Sequence, residues 1–234
     1  MTNQTLAGRT ALVTGASRGI GRAIATALAG AGVHLTVIAR DQRPLEQLAD
    51  ELNAVAIPCD VGNVSDCERM LLAMGTAPDI VVNNAGLFVP SPIEETSASD
   101  FDVALRVNLA GPFRILSAFL PAMRARGRGD IVTIGSIADH TTFPGNAAYG
   151  ASKHGVRALH EVLRAELRGT GVRATLVSPG PVDTSLWDDI DPDTREGFTP
   201  RSRMLSPNAV AAAVLFALSQ PPEVDIELVR LSRS

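Results

Sequence analysis

The chain is 234 residues long, 45% hydrophobic but only 4% aromatic, and carries a formal net charge of −4. That length suits one large domain, and an aliphatic core of this kind suits a parallel sheet covered by helices on both faces. The acidic balance offers no basic field for a nucleic-acid backbone or an anionic membrane surface, so neither partner is expected.

No run approaches the roughly 20 apolar residues a membrane span needs, and the first strand begins without a charged-then-apolar leader, so the cytoplasm is the expected location. Cys59 and Cys67 form no C-x-x-C pair, and His34, His140, His154 and His160 have no ligand spacing. Core roles for the two thiols, and no metal, are expected.

In chain order, the first apolar strand is predicted at 10–14, followed at once by the glycine-rich turn Gly15-Ala-Ser17-Arg18-Gly19-Ile20-Gly21 and an Ala-rich helix at 20–31. Glycines there let the backbone turn tightly and approach a pyrophosphate, while the helix start supplies N–H donors. Strands at 34–39 and 55–57 alternate with helices at 44–52 and 65–74, with Asp60-Val61 just after the third strand. A fourth strand at 79–82 leads into Asn83-Asn84-Ala85-Gly86, and a long helix at 99–126 carries Asn108. The fifth strand at 130–134 precedes Ser136, a helix at 147–169 holds Tyr149 and Lys153, and a sixth strand at 173–177 precedes Pro179-Gly180. A helix at 207–219 and a strand at 225–231 complete the chain. Strands without polar alternation are buried on both faces, so right-handed crossovers give an α/β, doubly wound sheet of seven parallel strands.

The spacing Gly15-x-x-x-Gly19-x-Gly21, the Asn83–Gly86 run, Ser136 and Tyr149-x-x-x-Lys153, in that order, resemble the short-chain dehydrogenase/reductase family over nearly the whole chain. The resemblance implies a single-domain Rossmann-type fold and a hydride-transferring oxidoreductase acting on a carbonyl or secondary alcohol, of the carbonyl or 3-oxoacyl reductase type. It places Asp60 at the adenine amino group, Asn84, Ala85 and Gly86 along the adenosine ribose, and Val182 and Thr184 at the nicotinamide amide. It makes Asn108, Ser136, Tyr149 and Lys153 the catalytic tetrad, with Asn108 bonding backbone in the long helix and helping to hold a water. It also implies a homotetramer or homodimer paired through the two long helices.

NADP(H) is expected over NAD(H), because the family's NAD enzymes end strand two in Asp where this chain has Ala39 followed by Arg40. Arg18 faces the same pocket, and two guanidiniums around a cavity without a carboxylate suit a 2'-phosphate.

Tyr149 is the chain's one Tyr and Lys153 its one Lys. Four apart on a helix, they share a face, so the ammonium can lower the phenol from its ordinary value near ~10 toward the working range. Ser136, thirteen residues before Tyr149, is positioned to donate to the substrate oxygen. A non-catalytic NADP-sensing regulator is the alternative, and a cofactor-free lyase or dehalogenase a third possibility; the first could lose Tyr149 or Lys153, the second the glycines and Lys153, yet all are retained.

The stretch 179–207 is too long for an ordinary connection, and within it 185–205 turns from acidic (Asp188, Asp189, Asp191, Asp193) to basic (Arg195, Arg201, Arg203). A lid that orders over the nicotinamide is expected there, with Phe88, Ala138, Phe143 and Trp187 forming the substrate wall.

Overall fold

Residues 5–234 are described by a computed structural model in which seven strands form one sheet. The strands are β1 (Thr10–Thr14), β2 (His34–Ala39), β3 (Val55–Pro58), β4 (Ile80–Asn83), β5 (Gly129–Ile134), β6 (Val172–Pro179) and β7 (Leu228–Leu231). They lie in the order β3-β2-β1-β4-β5-β6-β7 and every neighbouring pair is parallel. The expected doubly wound α/β sheet is therefore present.

Alternate strand residues feed two cores. Ala11, Val13, Val37 and Val82 face α1 (Gly19–Gly30), α2 (Gln42–Leu52) and α7 (Pro207–Leu218), where Ile24, Leu28, Leu45, Leu48, Val210 and Val214 are buried. Leu12, Ile38, Val81 and Ile131 face α3 (Val64–Met74), α5 (Gly111–Ala125) and α6 (Ala147–Leu167), which bury Met70, Ile115, Phe119, Met123 and Leu163. Cys59 and Cys67 belong to this second core as free thiols. The period of two along each strand is what lets one sheet carry two aliphatic faces.

The long helix predicted at 99–126 is not continuous. It runs as α4 (Ala98–Leu105), a π-turn over Arg106–Ala110, then α5. Two features of the sequence open the ladder. Pro112 lacks the N–H that would bond back to the Asn108 carbonyl, and Asn108 spends its side chain on the neighbouring loop instead. The same 98–125 stretch amends the expectation about membrane spans, since it contains 18 residues with a mean hydropathy of 1.3, long and apolar enough by length and composition alone to cross one. Here its apolar face covers the sheet.

The last strand is shorter than the predicted 225–231, and the side chains of Asp225 and Glu227 just before it are engaged by Arg164 from α6, at 2.9 and 2.8 Å. At the N-terminal edge of the sheet, buried Asp130 pairs with Arg9 at 2.5 Å and Arg173 at 2.7 Å, tying β5 to β1 and β6. The opposite edge is left to the loops after β1, β4, β5 and β6. Between β1 and β4 the chain's winding reverses, which opens a crevice outside the strand ends.

Candidate active site

The glycine-rich turn between β1 and α1 closes only because side chains are missing. Gly15 has φ 64°, and a Cβ on it would stand 2.8 Å from the Ala85 Cα; one on Gly21 would stand 2.2 Å from the Gly15 carbonyl oxygen. The loop after β4 is stitched onto this turn. The Thr14 hydroxyl accepts from the N–H groups of Asn84 and Ala85, both at 2.9 Å, and the Asn84 amide donates to the carbonyls of Thr14 and Gly15 at 2.9 and 3.2 Å. Asp60 is held by its own turn, accepting from Gly62 N–H at 2.8 Å.

Gly15, Ser17, Arg18, Gly19, Ile20, Arg40, Asp60, Val61, Asn84, Ala85, Gly86 and Thr184 all line one groove of about 160 Å³, together with Ala39. Tyr149, Pro179, Gly180 and Val182 line an adjoining cavity of about 390 Å³ with Ser136. Ile20, Thr184 and Leu186 belong to both, so groove and cavity are continuous. Gly21 and Lys153 line neither; Gly21 is packed beneath the turn, and Lys153 is buried behind Tyr149.

Arg18 and Arg40 are exposed on the groove, and among the described residues neither is in an ion pair. Ala39 is 7% exposed at the end of β2. Besides Asp60, Asp41 lines the same rim, which corrects the expectation of a cavity without a carboxylate. It stands at the N-cap position of α2 with no side-chain cap bond, so its carboxylate is not consumed by the helix.

In the cavity, burial holds the Tyr149 phenol above its ordinary value, with the Ser136 hydroxyl pulling it down and Asp139 pushing it up. The expectation that Lys153 lowers it is therefore not met in this geometry. The Lys153 ammonium sits 5.7 Å from the Tyr149 ring centroid and donates to the Ile134 carbonyl at 2.9 Å. Burial brings its own pKa down to about 8, opposed by Asp139. Asn108 is also placed differently from expectation. Its amide oxygen accepts from Leu87 N–H at 2.8 Å, and its amide nitrogen donates to the Leu87 carbonyl at 3.0 Å and the Ser152 hydroxyl at 2.9 Å. It thus anchors the β4 loop to α6 rather than bonding within its own helix. A Cβ on Gly86 would lie 3.3 Å from Asn108 Oδ1 and 3.9 Å from Lys153 Nζ, so the two groups flank one point beside the loop.

Asp139 escaped the sequence reading. Only 1% exposed, it accepts from Ser136 N–H at 3.1 Å and from the Ser178 hydroxyl at 2.5 Å, and meets His140 Nδ1 at 2.7 Å. The signal was the Ser-x-x-Asp spacing of a capping box, which here closes the short turn after β5. Phe88, Ala138, Phe143 and Trp187 all line the cavity, and Glu196 and Phe198 join them.

The segment 185–205 is folded back by local bonds. Arg201 pairs with Asp183 at 2.8 Å and Asp188 at 2.5 Å, its N–H donates to Asp193 at 2.8 Å, and the Trp187 indole donates to the Val182 carbonyl at 2.9 Å.

Comparison with known proteins bears on this arrangement. The family model "short chain dehydrogenase" matches residues 9–195. An uncharacterized oxidoreductase of Staphylococcus epidermidis is 34% identical over 95% of this chain and 96% of its own length. A glycine betaine reductase of Emericella nidulans is 36% identical over 94% of this chain, which spans 18% of that longer protein. Among solved structures, a serine dehydrogenase complexed with NADP+ superposes with a TM-score of 0.87 at 32% identity, over 95% of this chain and 94% of that one. With the seven-stranded parallel sheet, the glycine turn and the Ser136, Tyr149 and Lys153 cluster in place, the chain belongs to the short-chain dehydrogenase/reductase family of oxidoreductases.

Proposed function

We propose that this chain is an NADP(H)-dependent oxidoreductase that interconverts a carbonyl compound and its secondary alcohol, working as a carbonyl or 3-oxoacyl-type reductase. The observation that carries the reading is the continuity of two sites: a groove built by the glycine turn opens directly into an apolar cavity that presents Ser136 and Tyr149. The groove fits a dinucleotide, since the turn leaves no room for a Cβ, and α1 begins there with its free N–H groups. A nicotinamide bound there supplies or removes the hydride.

The chain's own groups do the rest. Ser136 donates to the substrate oxygen, and Tyr149, kept protonated by burial, delivers the proton that completes the alcohol. Lys153 holds positive charge behind the phenol as the proton leaves, and Asn108 fixes the loop that flanks it. The segment 185–205 serves as a lid whose closure excludes water; slower proteolysis of it with NADPH and a substrate analogue than without is the expected result.

Preference for NADP(H) rests on Arg18 and Arg40, two exposed guanidiniums at a groove whose carboxylates are Asp41 on the rim and Asp60, the latter engaged by Gly62 N–H. The relative complexed with NADP+ is consistent with it. The test is kcat/KM with NADPH and NADH over a panel of ketones, aldehydes, β-ketoesters and quinones. NADPH should be preferred, and the double substitution Ala39→Asp with Arg40→Leu should swing the ratio toward NADH. A wild type that prefers NADH would sink the cofactor assignment. Tight NADPH binding without turnover of any carbonyl would leave the sensing role.

A further inference from the structure

The chain has 7 Phe, 1 Tyr and 1 Trp, and five of these nine rings line the one cavity beside Tyr149: Phe88, Phe143, Tyr149, Trp187 and Phe198. Four of them join edge to face into a continuous wall. Phe88 meets Tyr149 at 4.8 Å and Trp187 at 5.4 Å, and Trp187 meets Phe198 at 6.1 Å between centroids. A protein whose core is otherwise aliphatic has concentrated its electron-rich rings where the substrate sits, and such rings attract an ammonium cation.

Charge sorts the same way. Among the described residues lining the cavity there is no Lys, Arg or His, and Glu196 is the one carboxylate. The segment 185–199, which supplies Trp187 and Phe198 to that wall, holds Asp188, Asp189, Asp191, Asp193 and Glu196 against a single Arg, Arg195, with Asp188 paired to Arg201 just beyond it. That guanidinium itself lies 5.2 Å from the centroid of Phe198, an instance within the chain of the same attraction. Asn146 also lines the cavity and keeps a buried amide oxygen without a hydrogen-bond partner. A phosphate or carboxylate on the substrate would find no counter-charge here. A primary ammonium would bring three N–H donors to a wall with few acceptors, whereas a methylated ammonium brings charge with an apolar surface.

We propose that the cavity takes a carbonyl compound bearing a compact quaternary ammonium group, with the cation on the Phe88, Trp187 and Phe198 wall beside Glu196 and the carbonyl at Ser136 and Tyr149. This rests on the reductase reading above. In the step, the carbonyl carbon gains hydride from NADPH as its π bond breaks, the oxygen takes the Tyr149 proton, solvent restores that proton, and NADP+ and the amino alcohol leave with the nitrogen unchanged.

Two isosteric ketones test it: trimethyl(2-oxopropyl)ammonium and 4,4-dimethylpentan-2-one, which differ by N+ for carbon. With NADPH, kcat/KM for the cation should exceed that for the neutral ketone by at least about 10-fold, and Glu196→Gln and Trp187→Leu should each shrink that ratio several-fold, so that intrinsic reactivity is factored out. Independently of turnover, emission of Trp187 in the wild-type protein should respond to choline at roughly 10-fold lower concentration than to 3,3-dimethylbutan-1-ol. Equal response to the two alcohols, or a ketone ratio that neither variant changes, overturns the ammonium site. Choline selectivity with no carbonyl of any class reduced would overturn the reductase reading and leave the cation site standing; reduction of neutral ketones without cation preference would do the reverse.

Discussion

Tyr149 is the residue on which the proposed chemistry turns, and its environment makes it an acid before it is a base. Burial keeps the phenol protonated, which suits delivery of a proton to a nascent alcohol. Tyr149→Phe should lower kcat by about 10²- to 10⁴-fold while leaving NADPH affinity near wild type, measured by steady-state kinetics and cofactor titration. Because the Lys153 ammonium titrates at about 8, it is charged below that pH and lost above it. The reductive kcat/KM should therefore fall on the alkaline side with a midpoint near 8, set by Lys153 rather than by the phenol. Asp139 supports that charge from within the turn that holds Ser136, which makes it a positioning residue. Asp139→Asn should move the alkaline midpoint to lower pH, whereas Asp139→Glu should restore it in part; a midpoint unmoved in Asp139→Asn would reduce Asp139 to a structural cap.

At the scale of elements, α6 does two jobs. Its first two turns carry Tyr149 and Lys153, and its middle docks on β5 through buried His160, whose Nδ1 lies 3.1 Å from the Thr133 hydroxyl. Burial, helped by nearby Arg164, lowers the His160 pKa from 6.5 to about 4. The unfolded chain thus takes up the proton first, so stability is full above pH 6.5 and falls as pH drops toward 4, by up to about 3 kcal/mol for this group. Thermal melts between pH 7 and 4.5 should show the loss, and His160→Gln should flatten it. A slope unchanged by that substitution would place the acid sensitivity elsewhere. The π-turn between α4 and α5 is a second case of an element shaped by its site, since it aims Asn108 at Leu87 and Ser152 instead of along the helix.

For the whole molecule, large apolar side chains remain uncovered on the helices expected to pair subunits. Phe113 on α5 and Val162 on α6 are 55% and 56% exposed. We expect a homodimer or homotetramer, in which these faces pack against their symmetry copies. Light scattering after size exclusion should give a mass of two or four chains, and Phe113→Glu with Val162→Glu should reduce it to one. A wild-type monomer at micromolar concentration would refute the expected pairing.

The strands and their order of appearance were legible in the sequence because a strand buried on both faces must be apolar throughout, and β1 and β2 begin and end where such runs do. The glycine turn, Ser136, Tyr149 and Lys153 were legible because each needs a particular residue type at a particular place: no Cβ, a hydroxyl, a phenol, an ammonium one helical turn away. What the tertiary structure alone decided are the quantities that depend on neighbours far along the chain. Which way the Lys153 ammonium points depends on a carbonyl nineteen residues earlier, the partners of Asn108 on Leu87 and Ser152, and the meeting of Asp139 with Ser178 on the packing of β5 beside β6. That Phe88, Phe143 and Trp187 would share a substrate wall was expected from the sequence, but the edge-to-face contacts that join Phe88, Tyr149, Trp187 and Phe198 were not, because aromatic side chains scattered over a hundred positions meet only when the segments at one edge of the sheet converge.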